Sequence, residues 1–420
     1  MKTSRFQITL GLAFTAAFTF SLAVRAQAQT LTTLYDFGSE RDATNPGGLI
    51  RDAGGNFYGN SVYGGTRGEG TVFQLSPPSE AGGNWTETIL YSFQGGSDGA
   101  QPFGPLSMDK NGNLYGVTAG GGNQDEVCYS NGCGTVFEIS PPADPGGTWT
   151  ERLLYRFSSS GGWGPAQGVI LDSRGNLYGT TLNGGRDGQN AGTIFRLTPT
   201  NGTWVAATLY SFGIYDKAGY SAGPLKLDAA GNLYGATGTS GIANAGGSVF
   251  RLSPPSKSGA QWTLTILFTP LFQGTSSAWV TPPILMGSDG AIYGTTYYGG
   301  NGNGIVYKLN PPASPGGQWE QTILYAFPSA LHGNPNGGVV GDPKTNVLYG
   351  TTIGGDGTVF QLTPPTQSGD QWTYTLLHAF TNTGDGWAPD GVVPDGSGNL
   401  YGLTDWGGTS TYGTFFELTK

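Results

Sequence analysis

Short runs of β-branched and aromatic residues, each bounded by Gly, Pro, Asn or Asp, follow one another along the chain after residue 28. Their spacing is that of strands and turns, and no window of helical period and length interrupts them. Four runs make one unit. Strand a goes from a proline to an aspartate, as in Pro105 to Asp109, and strand b reads N-L-Y-G-x-T, as in Asn113–Thr118. Strand c reads T-V-F-x-L and is closed by Ser-Pro-Pro or a relative; strand d reads W-T-x-T-x-L-Y-x-F, as in Trp85–Phe93. Between a and b, Asp-x-x-Gly-Asn supplies the positive-φ residues of a tight hairpin. The proline after strand c ends pairing there, because it has no N–H to donate.

Counting these units sets the topology. The Tyr-Gly of strand b recurs seven times, at Tyr58, Tyr115, Tyr178, Tyr234, Tyr293, Tyr349 and Tyr401, and a strand c follows each of these copies. Strand d follows only six of them, ending at Phe93, Phe157, Phe212, Phe268, Phe327 and Phe380. The missing copy is Leu31–Phe37, alone at the other end of the chain. Pairing both termini in one sheet locks a ring and leaves no exposed edge, whereas an open solenoid has no reason to split a unit. The expected fold is therefore all-β: a seven-bladed β-propeller of four-stranded blades spanning 29–420, with strand 31–37 completing the last blade. Within strand c, Phe73 and Leu75 point one way and Val72 the other, while a polar column (Gln74, Glu138, Arg196, Arg251, Lys308, Gln361, Glu417) is expected to face solvent at the outer rim.

The N-terminus reads as a secretory signal: Lys2 and Arg5, a broadly apolar stretch from Phe6 to Phe20, and the A-x-A site Ala26-Gln27-Ala28. Cleavage after Ala28 predicts a secreted, extracellular or periplasmic protein with no membrane span once the signal is removed. Loss of Lys2, Arg5 and Arg25 takes the formal charge from −9 to −12, which disfavours nucleic acid and anionic lipid as partners. Charged residues make up 11%, so the loops must be solvated mainly by Ser, Thr, Asn, Gln and backbone. In an exported chain, Cys128 and Cys133, within C-Y-S-N-G-C, are expected to form a local disulfide. Metal ligation competes with that reading, but no His or further Cys lies nearby.

Chemistry is sparse. The histidines are His332, in a d–a connection, and His378, at the Tyr position of a strand d. Glycine strings such as Gly64–Gly70 lack the strand-then-helix context and the Lys of phosphate loops, and read as b–c turns. Neither a metal, a cofactor nor a catalytic set is expected. In a propeller the d–a and b–c connections share one face, around the mouth of the axial channel. The d–a connections carry Asp98, Trp163, Tyr220, Trp279, His332, Asp385 and Trp387, the candidate ligand-binding residues. Exposed indoles beside carboxylates suit sugar rings, covering C–H faces while the carboxylates accept hydroxyl protons. The competing view is that each loop Trp plugs a gap between blades.

The runs G-N-L-Y-G-x-T-x-x-G-G, G-T-V-F-x-L-x-P-P and W-x-x-x-x-L-Y-x-F, clear at Gly112–Gly121 with Gly134–Pro142 and at Gly175–Gly185 with Gly192–Pro199, resemble the GloVer tandem repeat of exported bacterial proteins. The resemblance implies an extracellular or cell-surface location, often with a C-terminal anchor; this sequence ends in a strand c, which favours release or periplasmic residence. It brings no catalytic residues. The expectation is a monomeric, non-enzymatic binding or scaffold module for glycan or extracellular protein, acting through the d–a and b–c loop face. The alternative is a propeller lyase or hydrolase acting on an extracellular polysaccharide or cyclic ester.

Overall fold

The computed structural model describes residues 29–419 apart from 40, 81, 129–130, 145, 166, 187–189, 214–217, 240–245, 258, 271–279, 315, 342–344 and 368. The expected signal peptide and Trp279 lie outside the described residues. Seven antiparallel sheets are present, each ordered a-b-c-d. In blade one these strands are Ala43–Arg51, Phe57–Gly64, Thr71–Ser76 and Thr86–Ser92. Blade seven is built from Trp387–Pro394, Leu400–Trp406 and Thr414–Thr419, with Thr30–Asp36 as its outer strand. Register runs from Thr30 opposite Thr419 to Asp36 opposite Thr414. The chain is a seven-bladed β-propeller closed by its own two ends.

Strand d follows a rule that its sequence implies. In L-Y-x-F the Leu and Phe are three positions apart, so simple alternation cannot turn both towards the core. A β-bulge in every strand d resolves this, and in all seven it falls on the Leu: Leu34, Leu90, Leu154, Leu209, Leu267, Leu324 and Leu377. The Phe that follows packs against the Phe of strand c, as in Phe37–Phe73 (5.6 Å, edge-on) and Phe93–Phe137 (5.1 Å). Each of these pairs joins one blade to the next, and Phe37–Phe73 joins the last to the first.

The a–b hairpin side chains form a second repeated joint. Asp172 accepts from the Asn176 backbone N–H (2.9 Å), the Asn176 amide (2.7 Å) and the Tyr178 hydroxyl (3.2 Å). Asp52, Asp109 and Asp228 do the same for their own Asn and Tyr. The polar column of strand c is half-buried rather than fully solvated, because it meets the same tyrosines. Gln74 donates to Tyr58 Oη (3.3 Å), and Tyr401 donates to Glu417 (2.7 Å).

Inner strands are locked by a glycine–proline contact. Gly134, just before strand c of blade two, has φ +91°, and a Cβ there would stand 2.5 Å from Pro165 Cδ in blade three and 2.5 Å from the Thr118 carbonyl. Gly70, Gly304, Gly357 and Gly413 meet Pro102, Pro335, Pro389 and Pro46 in the same way. The last contact again joins blade seven to blade one. Cys128 and Cys133 are disulfide-bonded (Cα–Cα 5.1 Å) and buried beside Trp163.

Candidate functional site

The d–a connections hold the expected candidates, and most of them are engaged in building the ring. Asp98 accepts from the Tyr91 hydroxyl (2.7 Å) and the Gln94 N–H (2.7 Å), tying its loop to strand d. Asp385 plays the same part in blade seven, 3.0 Å from His378 Nε2 and bonded to Thr381. Burial pushes the Asp385 carboxyl up, but the bonds from His378 and Thr381 outweigh it and leave the group below its ordinary value. Trp163 corrects the expectation of an exposed indole. It is 2% exposed, packs among Cys128, Cys133 and Phe157, and exchanges backbone hydrogen bonds with Asn183 (3.2 and 3.1 Å), so it offers no free face. His332 is half-buried in a short 3-10 turn, Ala330–His332. Tyr220 opens the inner strand Tyr220–Ala222 of blade four, but its side chain lies outside the described residues, as does all of Trp279. None of the five candidates with described side chains lines the axial cavity.

That cavity, about 310 Å³, lies on the ring axis and receives residues from all seven blades. Its wall is mostly Pro, Gly and amide, with Asn45, Asn60, Gln167 and Asn336 among the polar groups. Among the described residues its two charged lining groups are Asp390 and Asp405, both of blade seven, with no Lys, Arg or His beside them. Asp390 sits on the innermost strand, between Pro389 and Gly391, and accepts from the Gly48 N–H of blade one (3.1 Å). Asp405 is the next-to-last residue of strand b. Partial loss of water raises both carboxyls, although Asp390 stays exposed to the channel; the Gly48 N–H moderates the rise at Asp390, while the charge of Asp390 adds to it at Asp405.

Aromatic side chains stand at the mouth-face ends of the inner strands. Trp406 follows Asp405 and stacks on half-buried Trp387, with centroids 6.3 Å apart and planes at 23°. Trp406 is 37% exposed, and Tyr63 and Tyr298 at the equivalent positions of blades one and five are 45% and 38% exposed. Phe103, 46% exposed, lines the cavity itself. The site thus combines flat apolar plates, amides and a protonatable carboxyl pair. Of the expected residues, Trp387 alone belongs to this group. Asp390, Asp405 and Trp406 were missed. For Asp405 the signal was present in the repeat frame, where it fills a column that reads Val62, Ala119, Leu182, Gly238, Tyr297 and Ile353 in the other units.

Acidic groups with raised pKa also sit in the blade seams. Glu87 accepts from the Ala43 N–H (3.1 Å) and the Tyr35 hydroxyl (3.3 Å) across the closing joint, and burial raises it to about 7. Burial, aided by the charge of Asp98, raises Glu151 to about 7 as well. A carboxyl raised in the folded state stabilises fully below its unfolded value, and that contribution is lost as pH rises through the folded one. All four raised groups act in the same direction. The melting temperature should therefore fall between pH 5 and pH 8, with Glu87 contributing at most about 3 kcal/mol. Thermal melts across this window check it: Glu87→Gln should flatten the slope, and a melting temperature that rises with pH would contradict the assignment.

The fold defines the class, a closed seven-bladed propeller with an axial ligand-sized cavity. The chain belongs to the Gloeobacter/Verrucomicrobia repeat family, whose profile matches residues 18–144, 127–356 and 281–420. No curated protein matches the sequence. Among solved structures, the chain is similar to PorZ, a surface component of the type-IX secretion system of Porphyromonas gingivalis (14% identity, TM-score 0.52, 92% of this chain and 48% of that one). It is also similar to the extracellular domain of BT4673 from B. thetaiotaomicron (13%, 0.54, 93% and 41%) and to puromycin hydrolase (13%, 0.56, 87% and 50%). The chain spans about half the length of these proteins or less, and at such identities the likeness concerns the fold alone. Among the described residues, no helix is long and apolar enough to cross a membrane.

Proposed function

We propose that this protein is an exported, non-enzymatic binding module that takes a glycan at the mouth of its axial channel. The observation supporting this reading is the Trp387–Trp406 stack, with Trp406 partly exposed and next in sequence to the channel-lining carboxyl Asp405. An indole face matches the C–H face of a sugar ring, and carboxyls and amides below it take the hydroxyls. A glycan array on the mature protein tests it. Trp406→Ala should weaken binding about tenfold, equivalent to about 1.4 kcal/mol, without changing the melting temperature. Absence of glycan binding, or binding indifferent to Trp406→Ala, would remove the reading.

The carboxyl pair favours a second reading. Two carboxyls that line one cavity and are both raised above their ordinary range can serve as acid and base in glycoside hydrolysis. Release of reducing sugar from a bound glycan, abolished in both Asp390→Asn and Asp405→Asn, would replace the binding module by a hydrolase.

A further inference from the structure

Blade five departs from the hairpin rule. Its a–b turn reads Gly287-Ser288-Asp289-Gly290-Ala291, so Gly287 stands where Asp52, Asp109, Asp172, Asp228 and Asp395 stand elsewhere, and Ala291 replaces the asparagine. The backbone of the hairpin is kept: Gly287 N–H donates to Ala291 O (2.8 Å) and Gly290 N–H to Gly287 O (3.0 Å). Only the carboxylate and the amide are missing. Beside the space they would fill, a cleft of about 610 Å³ lies between blades five and six, on the face of the a–b and c–d turns, away from the mouth. That volume falls within the range of small-ligand sites, about 300–1,000 Å³.

The chemistry of the cleft narrows its ligand. Tyr293 and Trp372 form an aromatic corner, with centroids 6.5 Å apart and planes at 65°. Lys308 Nζ lies 2.9 Å from Asp289 Oδ2 and 5.5 Å from the Tyr293 ring centroid. Among the described residues these are the one cation and the one carboxylate lining the cleft, and they neutralise each other. An ionic ligand would have to break that pair, whereas a neutral polyol can bridge it, donating to Asp289 and accepting from Lys308. Asn310 and Asn346 add amide groups at the edges. We propose that this cleft is a second binding site, for a neutral pyranose unit, formed where blade five lacks the carboxylate and amide of its sister hairpins. It shares no residue with the axial mouth and stands or falls independently of it.

The repeat itself supplies the test variant, Gly287→Asp with Ala291→Asn, which refills the cleft with the side chains that other blades use. The backbone at Gly287 is outside the left-handed region, and a Cβ there would meet Asp289 Oδ1 at 2.5 Å and Tyr293 Cε2 at 3.0 Å, so refilling the hairpin also displaces the Asp289 carboxylate. Saturation-transfer NMR would be run with maltotriose, cellotriose and xylotriose on the mature protein. Transfer to the ring protons of at least one trisaccharide is expected, and it should persist in Trp406→Ala. In the Trp406→Ala background, where the mouth is weakened, it should drop at least tenfold when the cleft is refilled, and refilling should leave the melting temperature equal to or above that of the parent. Lys308→Gln, which leaves the cleft open but breaks the Asp289 pair, should weaken transfer severalfold. No transfer from any of the three sugars, transfer unchanged by refilling, or transfer lost in Trp406→Ala alone would overturn the assignment.

Discussion

Removing residues 29–37 from the mature chain should lower the melting temperature by at least ~10 °C or leave the protein aggregated. The deletion takes out fully buried Phe37 and its edge-on contact with Phe73, and loss of one such side chain alone costs about 3–5 kcal/mol. It also strips Thr414–Thr419 of its outer partner, exposing an unpaired edge, and removes Tyr35 from the buried carboxyl of Glu87. Asp36 goes too, and with it the bonds from the Thr409 N–H (2.9 Å) and hydroxyl (2.6 Å) that hold the last b–c turn. Against a typical total stability of about 5–15 kcal/mol, these losses together are large. Differential scanning calorimetry of the truncated and mature chains gives the answer; matching melting temperatures would mean that the terminal strand is ornamental.

The next largest effect is expected at a single hydrogen atom. Gly134→Ala places a methyl group 2.5 Å from Pro165 Cδ and from the Thr118 carbonyl, at a φ of +91°. The backbone cannot yield easily, because the Gly134 carbonyl accepts the Phe157 N–H (3.0 Å) while the Gly134 N–H donates to Gly121 O (2.9 Å). Backbone strain of about 1–2 kcal/mol and overpacking of about 1–3 kcal/mol should together cost about 3 kcal/mol. Gly68 provides the contrast: its φ is +75°, but nothing lies within 4 Å of an added Cβ. Gly68→Ala should therefore cost only about 1 kcal/mol, from strain alone. Denaturant melts of the two variants separate them, and equal losses would show that the glycine–proline contact does not hold adjacent blades together.

The ring was legible in the sequence because a repeat that is out of phase at its two ends has few ways to complete itself. The lone LYDF at 34–37 was enough to call the closing strand, and its register follows from pairing with T-F-F-E-L. The bulge on each strand-d Leu was legible in principle, from a Leu and a Phe at odd spacing, yet a reading by alternation passes over it. The strand-c polar column was misplaced because its partners, the strand-b tyrosines, become neighbours only through sheet pairing. The site was the least legible part. Knowing that a d–a loop lies on the mouth face does not say which side chain enters the channel, and Trp163 turns inward with the disulfide loop while Asp98 and Asp385 are used to tie their loops. Asp405 stands out in its repeat column, but Asp390 becomes conspicuous only once the innermost strands are placed around an axis.

Closure of the ring by the two chain ends is tested most directly by a covalent link across them. Thr32 and Glu417 are directly opposed in the terminal pair of strands, so cysteines placed at both positions fall within disulfide reach. After mild oxidation of the purified double variant, peptide mapping by mass spectrometry should find one intramolecular bridge joining the segments around 32 and 417. Recovery of free thiols at both positions, or of bridges between separate chains only, would contradict a propeller closed by its own termini.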